Sequence, residues 1–114
     1  MSESILTSVK KLLGIPAEDT DFDTDIIFHI NSVFMILNQL GVGPDLPFKI
    51  VDDSRVWDDF DPTDMHRIMA VKSYVFLRVK LLFDPPSNSF VQTAMEQQID
   101  EFTWRLTNQA ERFM

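Results

Sequence analysis

The sequence predicts an all-α fold: a compact bundle of about four helices around a long central buried helix, with a small loop or β-hairpin excursion between the second and third. Three observations predict it. The stretch from Pro62 to Phe83 runs for 22 residues, and 12 of the 16 from Ile68 to Phe83 are apolar, which leaves no wide polar face. A helix apolar on nearly all sides is a buried one. Ile26, Ile27, Ile30, Val33, Phe34, Leu37 and Leu40 form a single helical stripe. Val91, Met95, Ile99, Phe102, Leu106, Ala110 and Phe113 recur at spacings of 4, 4, 3, 4, 4 and 3, the narrow seam of helix-on-helix packing.

The first helix is expected over about 3–13. Ile5, Leu6, Val9, Leu12 and Leu13 share one face at about 100° per residue. Gly14 and Pro16 stop it, and Lys10 and Lys11 in its last turn suit the helix dipole. The acidic run from Glu18 to Asp25 has carboxylates at alternate positions, as a calcium loop does. Thr24 stands where such a loop needs its sharp-turn glycine, and Ile30 where it needs its bidentate glutamate. The run therefore reads as a helix start, with Asp23 as cap and Phe22 stapled onto Ile27. The second helix spans about 23–40, with Asn31 and Asn38 beside its stripe and placed to bond between helices.

Gly41 to Pro47 cannot continue a helix, so residues 41–61 read as an excursion. Phe48–Val51 and Arg55–Trp57 alternate like two short strands about an Asp52-Asp53-Ser54 turn, the pattern of a small hairpin. Asp52, Asp53, Asp58, Asp59 and Asp61 make the segment acidic. It is either a solvated loop or a partner-facing finger. The third helix is expected over 62–83. A strand is the rival reading, because Val75, Leu77, Val79 and Leu81 alternate with Arg78 and Lys80. Length decides for helix, as do Asp61 at the cap, Pro62 in the first turn, Asp64 as capping acid and Phe60 stapled on Met65. Pro85-Pro86 ends it. Ser89 with Gln92 forms a capping-box pattern, and the last helix is expected over 89–112.

Composition narrows the function. The 114 residues suit one domain, 1–114, and carry a net charge of -8, of which -7 lies in residues 1–60. Such a chain is poorly suited to gripping nucleic acid phosphates. With no cysteine there is no disulfide, thiolate nucleophile or thiolate metal site. Met1-Ser2-Glu3-Ser4 lacks the basic patch and apolar run of a signal peptide, which points to a cytosol-like compartment. His29 and His66 lack a second histidine at ligand spacing and read as helix-surface residues. No serine sits in a nucleophile elbow, no glycine-rich phosphate loop exists, and the carboxylate pairs read as exposed. No catalytic, cofactor-binding or metal-binding residue is therefore assigned, and the chain reads as a non-enzyme without a cofactor. The residues assigned to a partner or subunit interface are Phe28 and Met35 on one line of the second helix, Trp57 in the excursion, Trp104 off the terminal seam, and Phe113 near the end.

Three stretches carry a resemblance. They are Ile5-Leu6-Thr7-Ser8-Val9-Lys10-Lys11-Leu12-Leu13-Gly14-Ile15-Pro16, the run from Asp25 to Gly43, and Tyr74-Val75-Phe76-Leu77-Arg78-Val79-Lys80-Leu81-Leu82-Phe83-Asp84-Pro85-Pro86. With Trp57-Asp58-Asp59-Phe60 and the terminal helix, the chain resembles the small helical head–tail connector (adaptor, or head-completion) proteins of tailed bacteriophages along essentially its whole length. The order and spacing of these stretches carry more weight than any one of them, and the Asp-Pro-Pro break is the best single marker. The resemblance implies a structural virion protein in an oligomeric ring, commonly of twelve subunits, at the portal vertex. There it joins head to tail and extends the DNA channel. Its implied partners are the portal protein, neighbouring copies of itself and a downstream neck, stopper or tail protein, with no sequence-specific nucleic acid binding and no membrane. Its implied location is the virion after synthesis in the bacterial host cytoplasm. The alternative from another class is a cytoplasmic acidic helical protein–protein interaction module.

Overall fold

Helical periodicity becomes five helices in the computed structural model, which describes residues 3–61 and 65–112, and side chains within 3–61 and 67–108. They are α1 (Ile5–Leu12), α2 (Asp23–Gln39), α3 (Trp57–Phe60), α4 (Met65–Phe83) and α5 (Ser89–Arg112). The all-α class stands, and no strand is present among the described residues. The expected α4 start at Pro62 and Asp64, and the terminal Phe113, lie outside the described residues. So do the side chains of Met65, His66 and Ala110.

The central position of α4 follows from its apolar girth. It packs against both α2 and α5, while α1 packs on α2. Val71, Tyr74, Val75 and Val79 are fully enclosed, and Ile26, Ile30, Val33 and Leu37 of α2 meet the same core. Each such side chain contributes about 1.5–3 kcal/mol by leaving water. Burial around α4 is not complete, however: Met69 is exposed, and so is Leu82 at 54%. The main neighbours of α4 are α2 and α5, which leave part of its surface in solvent. The α5 seam is likewise shorter than its repeat. Ile99 and Leu106 are buried with Met95 and Phe102 packed beside them, but Val91 is exposed.

The caps differ from the pattern at two starts. For α5 the cap is Asn88, whose Oδ1 accepts from Phe90 N at 2.8 Å and Val91 N at 3.3 Å, and Ser89 is the first helical residue. For α2 the cap position is Phe22, which makes no side-chain cap bond. Its ring instead meets Phe83 of α4 edge-on, centroids 5.6 Å apart. Asp23 is freed for a different role. Its carboxylate lies 2.8 Å from Lys10 Nζ, and that ammonium also donates to Ala17 O at 3.1 Å and Asp19 O at 2.6 Å. Lys10, in the last turn of α1, is 2% exposed. It ties α1, the acidic connection and α2 together. Lys11 next to it is exposed.

The hairpin does not form. The polar edges its strands need are taken by other partners. Asn31 of α2 donates from Nδ2 to Ile50 O at 2.9 Å and accepts from Ile50 N at 2.8 Å, satisfying that residue as a neighbouring strand would. Asn38 donates to Pro44 O and Asp45 O. Both asparagines therefore hold the excursion, and neither bonds to another helix. Downstream, Ile5 N donates to Arg55 O at 2.9 Å, and Val56 makes an isolated antiparallel bridge with Ser4. The segment is thus a docked loop ending in α3, with Val42, Ile50, Trp57 and Phe60 buried.

One contact in this loop requires glycine. Gly43 has φ +95°, and a Cβ there would overlap the Phe60 ring. That ring stacks on Phe34 at 5.1 Å and meets Phe48 edge-on at 5.5 Å, so it has nowhere to retreat. Gly43→Ala is expected to cost about 2–4 kcal/mol from backbone strain plus overpacking. The check is a urea melt whose midpoint falls at unchanged slope. Gly14→Ala is the control, because its φ is +82° but the space beside it is open; it should cost only about 1 kcal/mol.

Candidate functional site

Trp57 is the assigned interface residue that the structure places elsewhere. The four-residue α3 turns Trp57 and Phe60 to one side, three positions apart, and both enter the core against Phe34 of α2. Trp57 is 2% exposed, and its Nε1 donates to Ser8 Oγ at 2.9 Å while that hydroxyl donates to Ile5 O. Lys72 Nζ lies 5.8 Å from its ring centroid. An indole with its polar atom satisfied inside the fold has no face left to offer a partner. The sequence did contain a signal, since Trp57 and Phe60 stand one helical turn apart.

The other assigned residues divide into two places. Phe28 and Met35 lie two turns apart on the outer side of α2, and both are exposed. Phe28 borders a ring cluster in which His29 sits 5.8 Å from Phe28 and 6.4 Å from Phe83, so this histidine is an aromatic neighbour on the surface. Trp104 is 67% exposed on α5, away from Ile99 and Leu106, which face the core. Among the described residues no ring contact or hydrogen bond joins Trp104 to Phe28 or Met35.

Several further apolar side chains are exposed, Val91 and Leu12 among them against the periodicity. Phe90 and Val91 stand on the first turn of α5, where residues 89–94 are all exposed. Leu46 and Val51 stand out from the docked loop, and Leu12 from α1. Leu12 lines an apolar groove with Lys72 and Phe76 of α4. One end of that groove is closed by Lys11 and Trp57, and the other by Leu77 and Phe102. Periodicity put Leu12 in the core, and by angle it lies between the buried Ile5 and Ser8, but as the last residue of α1 it is 60% exposed.

The polar chemistry is sparse. Among the described residues no group of three histidines and carboxylates is placed to hold a metal ion, and no helix is long and apolar enough to cross a membrane. The Asp52 carboxyl is held below its ordinary acidity range by bonds from the Ser54 hydroxyl and then the Ser54 backbone N–H, so it stays ionised at neutral pH.

A family model described as phage connector protein matches residues 5–112. No curated protein and no solved structure matches the chain.

Proposed function

The chain belongs to the phage connector protein family, and from that premise we propose that it is a non-enzymatic virion part that forms a ring at the portal vertex. In this reading it joins the phage head to the tail and extends the channel through which DNA leaves. The observation that carries it is the span of the family match, which takes in all five helices. The physical character of the surface supports it. A ring must close through contacts between unlike faces of one subunit, and this small body keeps several large apolar side chains in solvent. A net charge of -8 disfavours adhesion of passing DNA. Its partners are then the portal protein, neighbouring copies in a ring of about twelve, and a neck, stopper or tail protein below. The single connector domain is made in the host cytoplasm and ends in the virion.

The reading is tested by sedimenting the purified subunit with portal-containing heads. Wild-type protein is expected to pellet with heads and to stay in the supernatant with heads lacking the portal. Trp104→Ala is expected to leave the melting temperature within about 2 °C, as exposed positions do, while reducing retention at least about tenfold, because aromatic anchors dominate interfaces. Equal pelleting with and without portal would contradict the assignment. Unchanged retention of the variant would remove Trp104 from the contact.

A further inference from the structure

Two surfaces of opposite character remain unmatched within the monomer. The first is the groove between α1 and α4. Its floor is Leu12 and Phe76, and its rim carries Lys11 and Lys72, with Glu3 at one end. Neither lysine makes an ion pair among the described residues. The second is the loop tip Val51-Asp52-Asp53-Ser54, in which the valine is 75% exposed and both aspartates stand in solvent. The tip is held ready for contact. Asn31 fixes Ile50 on one side, Ile5 N fixes Arg55 on the other, and Asp52 closes the turn onto Ser54. Arg55, the nearest cation, is drawn back over the Phe48 ring, 5.8 Å from its centroid.

We propose that the Val51–Ser54 tip of one copy seats in the Leu12–Lys72–Phe76 groove of the next, with Val51 on the apolar floor and Asp53 against Lys11. None of the tip residues lines the groove of its own copy. Its downstream base is tied to the N-terminal end of α1, while Leu12 is the last residue of that helix. Eight helical residues put these ends about 10 Å apart, and four residues between two fixed anchors have little slack. A tip on one copy and a groove on another make a head-to-tail contact, which closes into a ring when the rotation allows. This contact rests on the ring reading above and names the surfaces that would build it.

Because the chain has no cysteine, the contact can be trapped cleanly. The full-length Leu12→Cys/Val51→Cys variant, whose two sites are exposed, is oxidised while bound to portal-containing heads and, separately, free at high concentration. The expected result is a reductant-sensitive ladder of dimers, trimers and higher species, with neither single variant passing the dimer. Asp53→Lys or Lys11→Asp added alone is expected to lower ladder yield about fivefold by charge repulsion, and the two together to restore it. Copies that associate in sedimentation velocity yet give no ladder would overturn the tip-in-groove contact and leave the ring reading standing. Copies that stay monomeric both free and on heads would overturn both. A ladder indifferent to the charge swap would overturn the proposed recognition of Asp53 by Lys11.

Discussion

Val75→Asp is expected to leave the chain largely insoluble, whereas Leu82→Asp, seven residues along the same helix, is expected to fold. Val75 sits at 0% exposure in the face of α4 that meets the core. A carboxylate there loses its hydration and finds no cation, at a cost of about 4 kcal/mol or more. A domain of this size holds only about 5–15 kcal/mol in total. Leu82 is on the open side, where aspartate keeps its water, and the change should fall within about 0.5 kcal/mol. The check is the soluble fraction after expression, followed by circular dichroism melting of whatever is soluble. Equal behaviour of the two variants would mean that α4 is not oriented as described.

The second large effect is expected at Lys10. Lys10→Ala removes the cation that Asp23 faces at 2.8 Å and strands two carbonyls, Ala17 O and Asp19 O. Breaking a buried pair by deleting one partner costs about 3–5 kcal/mol. The Asp23 side chain is still 25% exposed, which moves the expectation to the lower end of that range. The melting temperature should fall by about 10 °C or more at this chain length. Lys11→Ala is the built-in control and should change it by about 2 °C at most, because Lys11 is exposed. Lys10→Met should recover part of the loss by restoring the stem's packing without the charge. Equal effects at positions 10 and 11 would show that the ammonium is not the tie between α1 and α2.

What the sequence made legible was periodic. The stripes of α2 and α4 and the middle of the α5 seam repeat every three or four residues, so Ile30, Val33, Val75 and Ile99 could be placed in the core from spacing alone. What it hid depends on which neighbour arrives. Lys10 lies beside the apolar stripe of α1 by angle, and only the fold of the following acidic segment supplies the three oxygens that make its burial tolerable. The excursion looked like a hairpin because its alternation was real. Asn31 and Ser4–Ile5, far away in sequence, supplied the edge bonds that its two strands would have given one another. Trp57 read as an anchor for a partner because it is an aromatic residue in the acidic excursion. The one-turn offset to Phe60 mattered more than the surrounding charge. Exposure at Phe28, Met35 and Trp104 was legible for a simple reason: each lies off its own helix's stripe, and the core is built from the stripes.

The most direct test of the central claim is to image tailed particles by electron microscopy with this subunit located, by comparing wild-type particles with those made when the chain is omitted. A connector ring predicts density for this subunit at the head–tail junction, in contact with the portal. It also predicts that omission yields filled heads without attached tails. Tailed, infectious particles formed without the chain, or density for it away from the portal vertex, would contradict the assignment.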